Sequence, residues 1–217
     1  IAFTKSRGSW LLALGELEMP ARRPCLLLVA GLPGTGKSTL ARALCEQAGL
    51  HLIRSDVVRK ELADAVAEQS ATTALGETGF GEGIYTAQWN RRTYEECQRR
   101  AQRLLFQGER VVVDANFRTE ADRREFLDAA TQMGVRCGVL VCETDSEIVR
   151  TRLANRRGDA SDADWSVYVR AAESWQAPTP RTQAVLKNID TGGSLEDSLA
   201  QALDVLRQWE LSTGQTS

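Results

Sequence analysis

The sequence VAGLPGTGKSTLARAL, residues 29–44, decides the fold class of this chain. The pattern G-x-x-x-x-G-K-[ST] is matched by Gly31, Gly36, Lys37 and Ser38. The apolar residues 25–30 before the loop predict a buried strand, and the residues after it have helical spacing up to Gly49. A strand, a glycine-rich loop and a helix in this order predict a site that binds the phosphates of a nucleotide.

The glycines, the lysine and the serine of this loop each have an expected part in binding a nucleotide. Glycines let successive backbone N–H groups turn toward the phosphates, which also meet the positive end of the helix that starts at Lys37. The Lys37 ammonium is expected to bridge the β- and γ-phosphates, and the Ser38 hydroxyl to bind Mg²⁺. The expected nucleotide contacts are Gly31, Leu32, Pro33, Gly34, Thr35, Gly36, Lys37, Ser38 and Thr39.

Strand and helix patterns alternate along the rest of the chain. Apolar runs predict strands at residues 25–31, 51–55, 109–116, 135–143 and 184–193. Helical spacing predicts helices at residues 37–49, 56–69, 86–108, 119–134, 146–158, 159–175 and 194–209. The glycine-rich residues 70–84 are expected to form a mobile loop. This alternation predicts an α/β fold, a doubly wound parallel sheet of five strands, with ligands bound beyond the carboxyl ends of the strands.

Length and charge limit the classes of protein to consider. The 217 residues suffice for one α/β domain with a full core. The formal net charge of −2 provides no global positive field for a nucleic acid or an anionic membrane, and no apolar run approaches the ~20 residues that span a bilayer. We predict a lead-in at residues 1–24, a domain at 25–212 and a frayed end at 213–217. The first residue is isoleucine, which is consistent with a piece of a longer protein.

Cysteine, histidine and acidic residues exclude several kinds of site. The five cysteines include no C-x-x-C pair and lie mostly in apolar runs, which favours reduced thiols in a cytoplasmic protein. His51 is the only histidine, so a site with several histidine ligands is excluded. The acidic residues 159–164 lack the glycine and the closing glutamate of a calcium loop, so we interpret them as a helix cap. The five tryptophans are interpreted as packing residues.

Two aspartates follow predicted strands. Asp114 ends an apolar run and would face the phosphate site, where it is a candidate metal ligand together with Ser38; the alternative is a turn former. Asp56 follows the second strand, where its carboxylate could accept a proton from an attacking hydroxyl. An aspartate after a serine at a helix start is equally typical of an N-cap, and one residue can serve in both ways.

Arginines lie near both aspartates and in one later cluster. Arg59 is one helical turn after Asp56, and Arg118 follows the sequence DANF; each could face an acceptor or lie on a solvated surface. The sequence RTRLANRRGD ends a predicted helix just before a polar break. There a closing lid would bring positive charge to a transferring phosphoryl group, although a solvated helix end is the alternative. The residues concerned are Arg152, Arg156 and Arg157.

The motifs GLPGTGKST, RSDVVRKEL, VVVDANFR and RRGDASDAD occur in this order between about residues 25 and 205. With them the chain resembles the small P-loop kinases that include polynucleotide 5′-kinase domains, zeta-toxin-like kinases and gluconate kinases. It is especially similar to bacterial ATP-binding kinase-like domains, some of them fused behind an aminoglycoside-phosphotransferase-like domain. The resemblance implies a P-loop NTPase fold like that of nucleoside monophosphate kinases, with a helical lid. It also implies that residues 1–24 are the tail of an upstream domain.

The resemblance also implies roles for single residues. In polynucleotide kinases, D-x-x-R after the second strand supplies the general base and an arginine for the acceptor's phosphate, which here are Asp56 and Arg59. The K/R-R-G sequence of that family's lid carries a catalytic arginine, here Arg157, while Arg152 and Arg156 are expected to contact the nucleotide. Together with Lys37 as the third catalytic residue, these assignments imply an ATP- and Mg²⁺-dependent kinase.

We expect the phosphoryl acceptor to be a small hydroxylated molecule, such as a sugar, a nucleoside or an antibiotic. Residues 74–89, which would cover it, carry glutamates and no lysine or arginine, so they would repel a phosphate backbone. The expected acceptor contacts are Arg59, Asn116, Arg118 and Tyr85. One alternative is a polynucleotide 5′-hydroxyl kinase acting on short nucleic acids. The other is a regulatory ATPase or switch, which needs no acceptor.

Overall fold

The computed structural model of the chain describes residues 22–72, 86–155 and 163–212. Within these ranges, strands and helices alternate as the sequence pattern predicts. The strands are β1 (Cys25–Ala30), β2 (His51–Arg54), β3 (Val111–Asp114), β4 (Arg136–Glu143) and β5 (Leu186–Asp190). The helices are α1 (Lys37–Ala48), α2 (Ser55–Thr72), α3 (Ala87–Phe106), α4 (Glu120–Gln132), α5 (Ser146–Ala154), α6 (Trp165–Glu173), α7 (Pro180–Gln183) and α8 (Leu195–Gln208).

The five strands form one parallel sheet in the order β2-β3-β1-β4-β5. The central strand β1 is buried along its whole length, because helices cover both faces of the sheet. Leu26 and Leu28 pack with the core residues of α2, α3 and α4, whereas Leu27 and Val29 pack with those of α1 and α8. The predicted doubly wound sheet is therefore confirmed.

A few details differ from the sequence prediction. Helix α2 continues to Thr72, so residues 70–72 are helical and their prediction as a loop was wrong. The good helix formers Ala67, Glu68 and Gln69 carry the helix toward these residues. The short helix α7 was not predicted, although Pro180 in its first turn is a typical helix start. The rest of the predicted loop, residues 73–84, lies outside the described residues.

Several smaller predictions can also be compared with the structure. The carboxylate of Asp164 accepts a hydrogen bond from the Val167 N–H at 3.0 Å, so the predicted cap at the start of α6 is confirmed. All five cysteines are free thiols. Within the described part of the chain, no helix is both long and apolar enough to cross a membrane. The predicted lead-in and frayed end fall outside the described residues, except for residues 22–24.

Arg123 on α4 is a completely buried charged side chain that ties three segments together. Its guanidinium donates hydrogen bonds to the Glu120 carboxylate at 2.9 Å, to the Phe117 carbonyl at 2.8 Å and to the Gln176 carbonyl at 2.5 Å. It also lies over the ring of Trp175, 5.3 Å from the ring centroid. The turn after β3 is thereby fixed to the segment that follows α6.

Glu120, the partner of Arg123, makes stability depend on pH. Burial raises the pKa of Glu120, but hydrogen bonds from Thr179, Thr182 and Arg123 outweigh this effect and hold the pKa at about 2, below its ordinary value of 4.5. The charged carboxylate therefore stabilises the fold above pH 4.5, and this contribution is lost as the pH falls toward about 2.

We expect Glu120→Gln to lower the free energy of unfolding, by on the order of 2–3 kcal/mol at neutral pH. The unsubstituted chain loses this stabilisation in acid. The difference in unfolding free energy between it and the variant, which is the deficit of the variant, should therefore be smaller at about pH 3. Urea unfolding curves at both pH values measure the deficit, with Glu125→Gln, an exposed site on the same helix, as the control. An equal deficit at both pH values would contradict the role of the charge.

Candidate active site

The carboxyl ends of β1, β2 and β3 lie side by side at one edge of the sheet. The register pairs Val29 of β1 with Asp114 of β3, and pairs the same aspartate with Arg54 of β2. Beyond β3 the chain continues beside β1, because the Gly31 N–H donates to the Asn116 carbonyl at 3.3 Å. The segments that follow the three strands therefore surround one site, as expected for a doubly wound fold.

The loop between β1 and α1 depends on its glycines. Gly31, Gly34 and Gly36 have φ angles of 140°, 81° and 89°, which residues with a side chain rarely adopt. A Cβ atom at Gly31 would lie 2.7 Å from the carbonyl oxygen of Cys142, and one at Gly34 would lie 2.8 Å from the side chain of Val149. The backbone of the loop can take this tight path only because no side chain fills these positions.

Lys37 begins α1 directly after Gly36, so the unpaired N–H groups of the helix start lie at the loop. Only 9% of Lys37 is exposed, and its ammonium lies 3.4 Å from the Leu32 carbonyl across the loop. Such a long contact leaves the charge available to a second partner. The ammonium is thus held inside the turn where the motif predicts nucleotide phosphates.

Asp114 is a buried carboxylate with one oxygen unsatisfied. Its Oδ2 accepts a hydrogen bond from the Arg54 Nε at 3.3 Å, while its Oδ1 is buried and has no hydrogen-bond partner among the described residues. A buried polar atom without a partner is costly, so this oxygen is suited to bind a ligand at this edge of the sheet. A cation bound at Oδ1 would satisfy it.

Lys37 and Asp114 act on the same buried thiol, that of Cys142 on β4. Burial raises the pKa of the Cys142 thiol, the Lys37 charge lowers it and the Asp114 charge raises it. The resulting pKa is about 12. The register places Asp114 beside Val29 and Val141 beside Ala30, so both strands that flank β1 end next to the start of the phosphate loop. The role of Asp114 as a metal ligand stays a prediction.

Ser38 and Asp114 fit the needs of Mg²⁺. This ion usually keeps several waters and takes one or two protein ligands together with substrate phosphates. Ser38 is the second residue of α1, directly after Lys37. In residues 22–72, 86–155 and 163–212, no group of three His, Cys, Asp or Glu side chains is arranged to hold a metal. The Ser38 hydroxyl and the Asp114 carboxylate are the candidate protein ligands.

A cavity of about 820 Å³ opens beside the phosphate loop. Its size suits a small organic ligand. Residues from the loop, from α2, α3, α4 and α6, and from the turn after β3 form its walls. The lining residues include Pro33, Asp56, Arg59, Asn90, Arg91, Tyr94, Asn116, Arg118, Asp122, Glu125, Val167 and Arg170. Three of the predicted acceptor contacts, Arg59, Asn116 and Arg118, thus meet at one cavity, while Tyr85 lies outside the described residues.

Asp56 lies in the first turn of α2, one residue after the helix begins at Ser55. A negative charge there interacts favourably with the helix dipole, so a structural contribution accompanies any chemical one. The aspartate also lines the cavity, and Arg59, buried one helical turn later, lines it as well. The D-x-x-R pair therefore borders the space in which an acceptor would lie next to the phosphate loop.

Arg152, at the end of α5, reaches the phosphate loop. Its Nη2 donates to the Thr191 carbonyl at 2.7 Å, and its Nη1 would lie 3.4 Å from a Cβ atom at Gly36. Nη1 is buried and has no hydrogen-bond partner in the part of the chain that the structure describes. A guanidinium with an unpaired nitrogen beside this loop fits an anion such as phosphate. Arg156 and Arg157 lie outside the described residues, so their roles stay predictions.

Thr191 and Tyr94 are among the site residues that were not predicted from the sequence. The Thr191 hydroxyl, directly after β5, lies 2.5 Å from the Thr35 carbonyl and 2.9 Å from the Glu143 carbonyl, and so connects the phosphate loop to β4. Its position after a strand is a signal that could have identified it. Tyr94 lies in the middle of α3, where nothing in the sequence distinguishes a cavity tyrosine from a core tyrosine.

Comparisons with known proteins agree with this geometry. The model of the AAA_33 family, described as AAA domain, matches residues 26–178. The chain is 31% identical over 183 residues to the uncharacterized proteins Rv2004c of Mycobacterium tuberculosis and Mb2027c of Mycobacterium bovis. The match covers 84% of this chain and 34% of each relative. The chain thus spans about a third of the length of these curated relatives.

A gluconokinase and a sugar kinase are among the solved structures that share the fold. A gluconokinase from Sinorhizobium meliloti has a TM-score of 0.59 at 18% identity, with 86% of this chain and 94% of that chain covered. A sugar kinase from Janibacter has a TM-score of 0.61 at 15% identity, with coverage of 88% and 99%. The predicted likeness to gluconate kinases is confirmed at the level of the fold, while the fusion to an aminoglycoside-phosphotransferase-like domain stays a prediction. The sheet order, the phosphate loop and the family match together show that the chain has the α/β fold of P-loop kinases and belongs to the AAA_33 family of AAA domains.

Proposed function

We propose that the chain is an ATP- and Mg²⁺-dependent kinase that transfers the γ-phosphoryl group to a hydroxyl of a small molecule. The observation that carries the proposal is the cavity of about 820 Å³ beside the phosphate loop, with Asp56 in its wall. A switch or a regulatory ATPase needs the loop but has no use for an acceptor cavity with a carboxylate beside it. The names of the gluconokinase and the sugar kinase with this fold support the same class of reaction.

Each residue of the site has a separate role in the proposed phosphoryl transfer. The Lys37 ammonium neutralises charge on the β- and γ-phosphates, and Arg152 holds phosphate oxygens on the side of α5. The oxygen of the acceptor hydroxyl forms a bond to the γ-phosphorus, and the bond from that phosphorus to the leaving ADP oxygen breaks. Asp56 accepts the proton that the hydroxyl loses. Ser38 and Asp114 would hold Mg²⁺, which supplies further positive charge at the phosphates when bound. Arg157 is proposed to add charge at the transferring group.

The cavity walls favour a polyhydroxylated acceptor. Arginine and asparagine side chains at the wall donate hydrogen bonds, and the carboxylates of Asp122 and Glu125 accept them. A hydroxyl group both donates and accepts, so a ligand with several hydroxyls can satisfy both kinds of wall residue. Among the expected acceptors, the names of the solved relatives favour a sugar or a sugar acid. The five free thiols favour a reducing compartment, and we propose the cytoplasm.

A second candidate is a polynucleotide 5′-hydroxyl kinase. The observation that favours it is a set of guanidinium groups in the cavity wall, which could hold a terminal phosphate of a short oligonucleotide. These groups belong to Arg59, Arg91, Arg118 and Arg170. Three carboxylates in the same wall, those of Asp56, Asp122 and Glu125, oppose the binding of a longer phosphate backbone.

Acceptor-dependent ADP release tests the proposed function. The purified chain is incubated with ATP and Mg²⁺ alone, with D-gluconate, glucose, ribose or adenosine, and with a 5′-hydroxyl oligonucleotide at low and high salt. We expect one small hydroxylated compound to raise ADP release well above the rate without acceptor. Salt-sensitive labelling of the oligonucleotide alone would favour the second candidate. ADP release that no acceptor changes would favour a regulatory ATPase.

A further inference from the structure

Tyr94 reaches the cavity wall from α3, and two phenylalanine rings fix its orientation. Its ring meets Phe117 edge to face at a centroid distance of 5.4 Å and Phe126 at 6.2 Å. These two rings meet each other edge to face at 5.2 Å, and both are completely buried. Because each ring of the cluster sets the angle of the next, the phenol has a defined direction.

The Tyr94 hydroxyl contacts the turn that follows β3. The Phe117 N–H donates a hydrogen bond to its oxygen at 3.0 Å. Phe117 has a φ of 47°, a left-handed conformation that is rare for a bulky residue, so the tyrosine supports a strained turn. The residues on either side, Asn116 and Arg118, both line the cavity, as Tyr94 itself does. Tyr94 and both neighbours of the residue that its hydroxyl contacts therefore line the same cavity.

The hydrogen of this hydroxyl has no acceptor among the described residues, since the bond from Phe117 is the one that the structure gives to Tyr94. A phenol oxygen that accepts one hydrogen bond can still donate its own hydrogen in another direction. Burial raises the pKa of Tyr94 above its ordinary value; the Phe117 N–H opposes this effect and the Asp122 carboxylate adds to it. The group therefore stays protonated at neutral pH and remains a donor.

We propose that Tyr94 determines acceptor specificity by donating a hydrogen bond from its hydroxyl to an oxygen of the molecule bound in the cavity. This inference rests on the proposed function, because it assigns one contact of the same acceptor. Asp122 also lines the cavity, so a ligand hydroxyl that reaches both residues can accept from the tyrosine and donate to the carboxylate. That pair of wall residues suits a hydroxyl and does not suit a methylene or an ether.

The variant Tyr94→Phe removes one oxygen and keeps the ring in its aromatic cluster. We expect its KM for the best acceptor of the ADP-release panel to rise about 10- to 100-fold, as for the loss of a buried hydrogen bond, with the KM for ATP unchanged. Tyr168→Phe is the matched control, because Tyr168 stacks on Trp165 in α6 and is not a cavity residue. Unchanged acceptor kinetics in Tyr94→Phe would overturn the proposal.

Because Phe117 also loses a partner in this variant, single-deoxy analogues of the same acceptor separate ligand binding from support of the turn. We expect one analogue, which lacks the hydroxyl that Tyr94 contacts, to give equal kcat/KM with the unchanged chain and with Tyr94→Phe. The parent compound and the other analogues should all be poorer substrates of the variant. A uniform loss for every compound would overturn the proposal, since it would show only a disturbed turn.

Calorimetric binding of the same panel distinguishes failure of this inference from failure of the proposed kinase activity, because it needs no turnover. Weaker binding to Tyr94→Phe would support the contact even if neither protein released ADP, and the kinase proposal alone would then fail. Equal binding to both proteins would overturn the proposed contact of Tyr94. The proposal would also be overturned if neither protein bound any compound of the panel. In both cases acceptor-dependent ADP release would still support a kinase.

Discussion

We expect Lys37→Ala to abolish phosphoryl transfer while the chain stays folded. The ammonium makes one long contact, 3.4 Å to the Leu32 carbonyl, so its loss costs little stability. Its charge, in contrast, acts on phosphates in a site largely shielded from water, where removal of one stabilising group typically lowers kcat by about 10²–10³-fold. Steady-state kinetics with the best acceptor measure the loss, and thermal unfolding followed by circular dichroism confirms the fold.

Lys187→Ala is the matched control for this variant, because Lys187 is exposed on β5. We expect the control to keep both its activity and its stability. Full activity in a folded Lys37→Ala protein would show that the loop does not hold the reacting phosphates, and the nucleotide assignment would then fail.

Asp56→Asn is expected to keep nucleotide binding and to lose transfer to the acceptor. The amide has nearly the size of the carboxylate and can remain in the first turn of α2, but it cannot take a proton from a hydroxyl. A positioned general base typically contributes about 10²–10⁴-fold, so kcat should fall by this factor. Binding of a fluorescent ATP analogue and acceptor-dependent ADP release measure the two properties separately.

Asp64→Asn, an exposed site on the same helix, controls for general effects of the substitution on α2. We expect that variant to behave like the unchanged chain in both measurements. If Asp56→Asn kept full kinase activity, Asp56 would be only a residue that stabilises the start of the helix. Asp114 or another cavity carboxylate would then have to be tested as the base.

The phosphate loop and the sheet could be predicted from the sequence because local geometry imposes them. Gly31 and Gly36 take φ angles of 140° and 89°, which residues with a side chain rarely adopt, and both stand at fixed positions in the motif. Strand β1 is buried on both faces, so its residues are all apolar and easily recognised. Asp114 could be identified because it ends a buried apolar strand, and Asp56 because it comes shortly after β2, at the edge where ligands bind.

Arg123 and Arg124 show why other features could not be predicted. The two residues are adjacent and identical in type, yet Arg123 is completely buried and Arg124 is half exposed beside Asp128. The difference depends on Gln176, whose carbonyl accepts from Arg123 across 53 residues of sequence. Helical spacing places residues on a face, but it does not tell which distant segment will pack there.

Tyr94 was missed for a similar reason. An aromatic residue on an amphipathic helix is usually a core residue, and its ring does belong to the aromatic cluster with Phe117 and Phe126. Its hydroxyl accepts from the Phe117 N–H in the turn after β3, whose residues Asn116 and Arg118 line the cavity with it. Such a role follows from the contact between two segments and leaves no pattern in either one.

The fate of the γ-phosphorus tests the kinase proposal most directly, and ³¹P NMR of a reaction containing the chain, ATP, Mg²⁺ and the best acceptor measures it. Transfer to a hydroxyl predicts that the γ-phosphorus signal leaves ATP and appears as a phosphate monoester of the acceptor, in the same amount as the ADP formed. The signal should stay in ATP when Lys37→Ala replaces the unchanged chain. If the γ-phosphorus appears only as inorganic phosphate, or remains in ATP with every acceptor, the chain does not transfer phosphoryl groups to these hydroxyls and the proposed function is wrong.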